Sequence, residues 1–339
     1  MGALVDDLLE RRVTKTGEVP VNAGDVMRWC EAHRERAARF WPDRTPDWVA
    51  PPASVTTYVR PLEWRPDREG PPSDRGAALH ELLKTELGYP LGIAVGYELE
   101  LHALLRDGDR LVAEERIASV GEEEHGRLGP GRRWVIENRV EVRGGALAAV
   151  ERFHMLGYHP AAAGESQRFE RSGRDGGRSG GGGPEATDDV PDHVEELDVT
   201  TVGIVMAATA NRVWTPVHLD RTAAATAGFP DVFVDTSAQL GLLSVVAAQA
   251  AAGSAGTDTG ARPGRLELRM RRPILPGTHL RIEARITGEV LDAAGVRWRS
   301  VAVTARSEAT VHSTLQARLA VEAPAGADVW ALTGDDWTP

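Results

Sequence analysis

The chain has 339 residues, of which 42% are hydrophobic and nine are tryptophan, and this content indicates a globular protein long enough for two domains. Its formal net charge of −11 disfavours binding to nucleic acid, because phosphate backbones need a basic surface. No apolar run reaches the roughly 18 residues of a membrane span, and the acidic N-terminal stretch does not resemble a signal peptide. We therefore expect a cytoplasmic protein that has neither a nucleic acid nor a membrane as a partner.

The single cysteine, Cys30, excludes an internal disulfide and any metal site built from several cysteines. It lies on an apolar helical face, which predicts a buried thiol rather than a nucleophile. The sequence contains no glycine motif that would cradle phosphates, no nucleophile elbow and no His/Glu spacing typical of a metal site. We expect neither a metal nor a cofactor.

The first half, residues 1–160, shows one helical pattern followed by several strand patterns. The helix is predicted around Arg75 to Leu87. The stretch "ELELHALLRDGDRL" from Glu98 alternates apolar and polar residues, turns at Asp107-Gly108 and resumes as a strand. Two further strands are predicted in "RWVIENRVEV" and "LAAVERFHMLGY". We expect this half to fold as a sheet on one helix.

A segment rich in glycine, residues 161–194, separates the two halves. It has almost no large apolar residues, so it would bury too little surface to offset the entropy of ordering it. The sequence predicts a flexible linker here.

The second half, residues 195–325, repeats the order of the first, and residues 326–339 form a tail. A helix is predicted from Thr236 to Ala251, and "LELRMRRPILPGTHL" alternates, turns at Pro276-Gly277 and resumes. Gly108 and Gly277 are 169 residues apart. Strands are again predicted in "VRWRSVAVTARS" and "STLQARLAVEA". Two copies of a helix with antiparallel strands predict an α+β fold with pseudo-symmetric halves.

Several of these segments resemble one family. The stretch "TPVHLDRTAAATAGFPDVFVDTSAQLGLL", with "RLELRMRRPILPGTHLRI" after it, resembles the C-terminal half of the MaoC-like acyl-CoA hydratases and dehydratases. The segment "GYPLGIAVGYELELHALLRDGDRL" resembles the related dehydratase domain that precedes MaoC domains in fused chains. The resemblance implies two hot-dog domains, each an antiparallel sheet wrapped on a central helix, joined in a double hot-dog.

The resemblance also implies a catalytic loop in "NRVWTPVHLD", which begins at Asn211. The family loop reads Asp, any residue, Asn, Pro, an apolar residue, His, any residue, Asp. His218 takes the place of the catalytic histidine, and Thr215 takes the place of the asparagine. The leading aspartate falls on Val213, and the trailing aspartate is Asp220, which could instead cap the helix that follows. His218 without a partner could also be a hydrogen-bonded core residue.

The missing aspartate bears directly on the expected chemistry. Dehydration of a 3-hydroxyacyl thioester removes an α-proton and protonates a departing hydroxyl, and hydration reverses these steps. A histidine near its reference pKa of roughly 6.5 can carry one of the two protons, but valine can carry neither. The loss of one member of such a pair commonly costs on the order of 100-fold to 10,000-fold.

The family stabilises the thioester enolate with a backbone N–H at the start of the central helix, which here corresponds to Asp235. A helix N-terminus suits this task because its N–H groups are free and its dipole is positive. Asp235 is also a common helix-capping residue, and as a hypothesis it supplies the missing carboxylate. The resemblance places Val213, Thr215, Thr236 and Gln239 as substrate-binding residues.

Two further features could serve a large thioester. Arg271 and Arg272, in "RMRRP", could bind the phosphates of coenzyme A, or they could be one solvated face of a strand. Trp41, Trp48 and Trp64 of the first half could line a tunnel for a bulky acyl group. That half offers no histidine with a nearby acid at the family spacing, so we expect it to be non-catalytic.

These observations predict a hydratase or dehydratase of 2-enoyl or 3-hydroxyacyl groups carried by coenzyme A or a carrier protein, with a substrate that could be polycyclic. One alternative keeps the fold but makes the chain an isomerase or cyclase that uses His218 alone. The other is a non-catalytic subunit that binds acyl chains or completes another hydratase. We expect a homo-oligomer, such as a dimer, or a hetero-oligomer with another hot-dog subunit.

Overall fold

The computed structural model describes residues 2–69, 78–126, 128–159, 190–253, 261–308 and 310–324. The described α-helices are α1 (Gly2–Leu9), α2 (Ala23–His33), α3 (Ala78–Leu87), α4 (Thr201–Ala210), α5 (Arg221–Thr226) and α6 (Thr236–Ala252). Short 3-10 helices span Ala38–Phe40, Pro52–Val59 and Pro216–His218. The strands of the first half are β1 (Arg12–Thr16), β2 (Leu91–Leu101), β3 (Leu111–Gly126), β4 (Gly129–Val142) and β5 (Leu147–Tyr158). Those of the second half are β6 (His193–Asp198), β7 (Arg262–Met270), β8 (His279–Leu291), β9 (Arg297–Ser307) and β10 (Thr310–Glu322).

All ten of these strands form one antiparallel sheet. Its order is β1-β3-β4-β5-β2-β7-β10-β9-β8-β6, so the two halves meet where β2 pairs with β7. Each half contributes its strands in the same order, counted outward from this seam. The chain therefore folds as two copies of one topology that share a continuous sheet.

The seam contains the pseudo-twofold axis that relates the halves. Glu98 of β2 pairs with Glu267 of β7, and these residues are separated by 169 positions, as Gly108 and Gly277 are. The two glycines occupy equivalent turns with φ of +84° and +83°, a left-handed conformation that glycine adopts without steric cost. The repeat predicted from the turn spacing is confirmed.

The helices of the two halves occupy the sheet differently. The 17 residues of α6 pack against β7, β8, β9 and β10 in one large core. The shorter α3 packs Leu79 and Leu83 against a smaller cluster that includes Trp134 and Ile136. Both helices were predicted, but residues 70–77, where the first of them was expected to begin, lie outside the described residues.

One row of side chains on the inner face of the sheet differs between the halves. Directly opposed residues on β3, β4 and β5 are polar and buried: Glu115, Asn138 and Glu151. The equivalent residues on β8, β9 and β10 are apolar and buried: Ala284, Val303 and Leu315. The first half therefore has a polar row where the second half has part of its hydrophobic core.

Most of the predicted linker, residues 161–194, lies outside the described residues. The edge strand β6 begins at His193, inside the last residues of that range, and pairs with β8.

Candidate functional site

His218 ends the 3-10 turn Pro216–His218, with its ring half-buried. Its Nδ1 lies 2.9 Å from the carbonyl oxygen of Phe233, and the two rings meet edge to face. Because a carbonyl can only accept, Nδ1 carries the proton and donates it, which leaves Nε2 of the neutral ring with a lone pair. Nε2 has no hydrogen-bond partner among the described residues, so it is available as a base.

Among the described residues, no other loop side chain is bonded to the ring of His218. Asp220 is exposed and caps α5, accepting hydrogen bonds from the N–H groups of Thr222 at 2.6 Å and Ala223 at 3.0 Å. These N–H groups lower the pKa of its carboxyl group. Thr215 is exposed and its carbonyl accepts the N–H of His218, while Val213 is half-buried. The capping interpretation of Asp220 is therefore confirmed.

Asp235 is almost fully buried, with 2% of its surface exposed, and caps α6. Its Oδ1 accepts the N–H groups of Ser237 at 2.8 Å and Ala238 at 3.0 Å, as predicted for a capping residue. Its Oδ2 is buried and has no partner among the described residues. One carboxylate oxygen thus holds the helix, and the other remains free to accept a proton or a water hydrogen.

The start of α6 also offers backbone donors. Within the described part of the chain, no acceptor is within hydrogen-bond reach of the N–H groups of Asp235 and Thr236. Unpaired N–H groups at a helix N-terminus can stabilise an oxygen that gains negative charge. The carbonyl of Phe233 accepts the hydrogen bond from His218, and Phe233 is only two residues before Asp235. The His218 ring is therefore bonded to the segment that leads into these two N–H groups.

The remaining predicted binding residues sit beside this helix start. Thr236 directs its hydroxyl to the sulfur of Met270 at 3.6 Å, and Gln239 donates to the carbonyl of Val234 at 3.1 Å. Gln239 is buried, and its Oε1 has no partner among the residues that the structure describes. Gln239 therefore has a free acceptor, whereas the Thr236 hydroxyl is already engaged.

Side chains of the first half form hydrogen bonds with Asn211, the fully buried residue at which the His218 loop begins. The indole N–H of Trp29 donates to Asn211 Oδ1 at 3.0 Å, and Asn211 Nδ2 lies 3.2 Å from Nε2 of His33. Burial lowers the pKa of His33 to about 4, so the ring is neutral: Nδ1 donates to the Trp29 carbonyl and Nε2 accepts from Asn211. The same ring lies against Gly241 of α6, where an added Cβ would come within 2.2 Å of it.

Arg60 is the second contribution of the first half. Sequence analysis missed it because it is a single arginine, directly after the 3-10 helix Pro52–Val59, with no motif around it. It donates to the carbonyl of Asn211 at 2.6 Å and to the hydroxyl of Ser237 at 2.9 Å. Trp29 and His33 were missed for a related reason, since their partner Asn211 lies 182 and 178 residues away in the sequence. Such contacts have no local sequence pattern.

Six other residues singled out from the sequence lie outside this site or pack in the core. Arg271 and Arg272 follow the end of β7 and are exposed, so the predicted basic strand ends before them. Trp64 is 73% exposed, which removes it from any buried lining. Cys30 is buried and its S–H donates to the carbonyl of Phe40, and burial raises the pKa of the thiol, as expected for a core residue. Trp41 and Trp48 pack against the core of the molecule.

Searches for similar proteins give structural matches only. No family model matches the chain, and no curated protein matches its sequence. A solved structure described as a MaoC-like dehydratase is 16% identical with a TM-score of 0.64, and the match covers 93% of this chain and 99% of that one. A MaoC-like dehydratase from Phytophthora capsici is 14% identical with a TM-score of 0.60, covering 95% and 99%. A conserved hypothetical protein of Mycobacterium tuberculosis with a double hot-dog fold is 15% identical with a TM-score of 0.54, covering 93% and 97%.

These matches span nearly the whole chain. The protein has the double hot-dog fold seen in MaoC-like dehydratases, as the sequence resemblance implied. No described helix is long and apolar enough to cross a membrane. The described residues include no cluster of three His, Cys, Asp or Glu side chains suited to a metal ion.

Proposed function

We propose that this protein is a hydratase or dehydratase of 2-enoyl or 3-hydroxyacyl thioesters. The observation that carries the proposal is the tether between His218 Nδ1 and the carbonyl of Phe233, two residues before Asp235, which leaves Nε2 as a base. The N–H groups of Asp235 and Thr236, at the start of α6, have no acceptor among the described residues. A base and such donors that face one substrate form the arrangement that removes a proton α to a thioester carbonyl. The fold shared with MaoC-like dehydratases supports the same class of reaction.

In the dehydration direction, Nε2 of His218 takes the α-proton and the electron pair moves onto the thioester oxygen. The N–H groups of Asp235 and Thr236 donate to that oxygen, which gains negative charge with little solvent reorganisation. When the enolate collapses, the bond to the 3-hydroxyl breaks and the hydroxyl leaves as water after it receives a proton. The imidazolium of His218 is one donor for this proton.

Asp235 is our candidate for the second proton carrier. Val213 occupies the position of the family aspartate and has no ionisable group, whereas Asp235 keeps its Oδ2 unpaired in the same region. A carboxylate there can orient the water that adds to the enoyl group. Full activity of an Asp235→Asn variant, which keeps an acceptor oxygen for the helix cap, would exclude this role.

The test of the proposed function is turnover of a thioester panel. Purified protein is incubated with enoyl and 3-hydroxyacyl thioesters of coenzyme A and of a carrier-protein arm, including polycyclic acyl groups. Gain or loss of one water is followed by mass spectrometry for the parent and for His218→Ala. We expect water addition that falls by roughly 100-fold to 10,000-fold in the variant. Unchanged turnover in the variant, or binding without any change in mass, would contradict the proposal.

The absence of a side-chain carboxylate bonded to His218 among the described residues favours a second candidate, an isomerase or cyclase that needs one proton shuttle. The substitution Val213→Asp separates the two. Restoring the aspartate should raise hydration by a slow hydratase, and should leave an isomerase no better at hydration.

We further propose a coenzyme A or carrier-protein thioester as the substrate form, with assembly into an oligomer of hot-dog subunits. The first half, residues 1–160, would be the non-catalytic partner of the second, residues 195–325. A cytoplasmic location fits a pool of such thioesters. Activity that appears only when another hot-dog subunit is added would instead make the chain a partner-completed protein.

A further inference from the structure

Arg60 connects three parts of the molecule through its guanidinium group. It lies in the first half, directly after the 3-10 helix Pro52–Val59 that packs on α6. Nη1 donates to the carbonyl of Asn211, where the His218 loop begins, and Nη2 donates to the hydroxyl of Ser237 in the first turn of α6. The planar fork of an arginine holds two such acceptors at a fixed separation, which lysine cannot do. The loop and the helix start are therefore tied together by one side chain from the other half.

The charge of Arg60 is balanced from both halves. Burial lowers its pKa, and the negative charges of Asp235 and Glu151 and the hydroxyl of Tyr97 act in the opposite direction, whereas Arg212 adds a like charge. Glu151 belongs to the polar row of the first half, where it accepts from the Tyr97 hydroxyl at 2.7 Å and from Asn138 Nδ2 at 3.3 Å. Burial also raises the pKa of Glu151. Arginine remains protonated in proteins, so Arg60 is a largely buried positive charge at the junction of the halves.

We infer that Arg60 is a positioning residue of the His218 site. The inference rests on the proposed function, because it assigns Arg60 a role in orienting the base and the oxyanion donors. Through Ser237 it fixes the first turn of α6, and through Asn211 it fixes the segment that leads to His218.

In this arrangement, the first half positions the segment that leads to His218. Trp29 and His33 of the first half bond to the side chain of Asn211, and Arg60 bonds to its backbone carbonyl. Within the second half, Asn211 donates to the carbonyl of Ala207 in α4. A displacement of about 1 Å in a reacting group can reduce turnover by about 100-fold. Loss of Arg60 should therefore act on the reaction step more than on substrate binding.

The experiment compares Arg60→Gln and Arg60→Lys with a control, Arg132→Gln. Arg132 is also a buried arginine, but it lies on β4 and contacts Tyr89 instead of α6. We expect kcat to fall about 10-fold to 100-fold in Arg60→Gln, with KM within about threefold of the parent. Arg60→Lys should recover part of the loss, because it keeps the charge but not the fork.

An unchanged kcat in Arg60→Gln, or equal losses in Arg60→Gln and Arg132→Gln, would overturn the inference. If the parent itself turns over no thioester, the proposed function fails, and the positioning role is tested by amide hydrogen exchange instead. Faster exchange at Ser237 and Ala238 in Arg60→Gln than in Arg132→Gln, with the His218 imidazole resonances shifted, would support positioning. Equal exchange and unshifted resonances in the two variants would overturn it.

Discussion

The two halves have the same strand order but use the inner face of the sheet in different ways. In the second half, Ala284, Val303 and Leu315 pack in the core beneath α6. In the first half, the equivalent row is polar, and its members are bonded to one another and to their neighbours. Glu115 pairs with Lys15 and caps the first described turn of α3 through the N–H of Leu79 at 2.7 Å.

This difference shows how one topology can serve two purposes. An apolar row supports the long central helix α6. The buried groups of the polar row need partners, and Lys15 and Tyr97 supply two of them. The first half also contributes Arg60, whose guanidinium group bonds to Asn211 and Ser237 of the second half.

The largest expected loss of stability comes from placing a charged residue in the apolar row or an apolar residue in the polar row. Leu315→Glu places a carboxylate without a partner in the second core, and we expect a loss of about 3–5 kcal/mol in the free energy of unfolding, enough to prevent folding in some conditions. The reciprocal change, Glu151→Leu, leaves Tyr97 and Asn138 without an acceptor and should cost about 1–3 kcal/mol. Chemical denaturation of both variants, with Leu315→Met as the conservative control, measures the difference. Equal losses would mean that the rows are not distinct environments.

The start of α6 can be tested by removing one backbone donor. Thr236 is the first helical residue, where proline fits because its fixed φ suits a helix and no intrahelical bond is lost. If the N–H of Thr236 stabilises the oxyanion, Thr236→Pro should lower kcat by about 100-fold to 1,000-fold while the fold persists. Thr236→Ala removes only the contact with Met270 and serves as the control. A Thr236→Pro enzyme as active as the control would exclude this donor.

The junction between the halves predicts a pH dependence at His33. The folded-state pKa of about 4 is below the reference value of 6.5, so the unfolded chain binds a proton first as the pH falls. The free energy of unfolding should therefore decrease between about pH 6.5 and about pH 4, by up to about 3 kcal/mol. The pKa of His279 is raised by the hydrogen bond with Asp198, so its contribution has the opposite sign and is lost as the pH rises through the folded value.

Comparing each of His33→Gln and His279→Gln with the parent isolates these contributions. The difference in unfolding free energy between the parent and His33→Gln should grow in favour of the parent from pH 4 to pH 7. A difference that does not change over this range would mean that folding does not lower the pKa of His33.

The smallest expected effect concerns the outer face of the seam. Glu98 contacts His154 at 2.8 Å and lies 3.6 Å from Arg265 of the second half, in a partly exposed network. Glu98→Gln should reduce the free energy of unfolding by less than about 1 kcal/mol, and high salt should reduce the difference further. A larger loss would show that the halves depend on this ion pair more than on the pairing of β2 with β7.

The sequence predicted much of the fold because helices, strands and turns produce patterns among residues that are close together in the sequence. Alternation and the two glycine turns located the strands on both sides of the seam, and β5 has the predicted bounds, Leu147–Tyr158. Apolar content located α6, which begins at Thr236 as predicted. The capping roles of Asp220 and Asp235 followed from residue type and position.

The polar row and the hydrogen bonds between the first half and Asn211 could not be predicted in this way. Glu115, Asn138 and Glu151 come together only through strand register, and each appears in the sequence as an ordinary polar residue of an alternating strand. Arg60 reaches Asn211 across 151 residues of sequence. Register and distant contacts depend on the packing of the whole chain.

Gly241 has a practical consequence for protein engineering. Replacing a glycine inside a helix by alanine is a common route to higher thermal stability, since alanine favours the helix by about 1 kcal/mol. Here the added methyl group would occupy the space of the His33 ring. Gly241→Ala should therefore lower the melting temperature instead of raising it, and it should loosen the His218 loop through Asn211. A glycine-to-alanine substitution that usually stabilises a helix is therefore expected to reduce both stability and activity at this position.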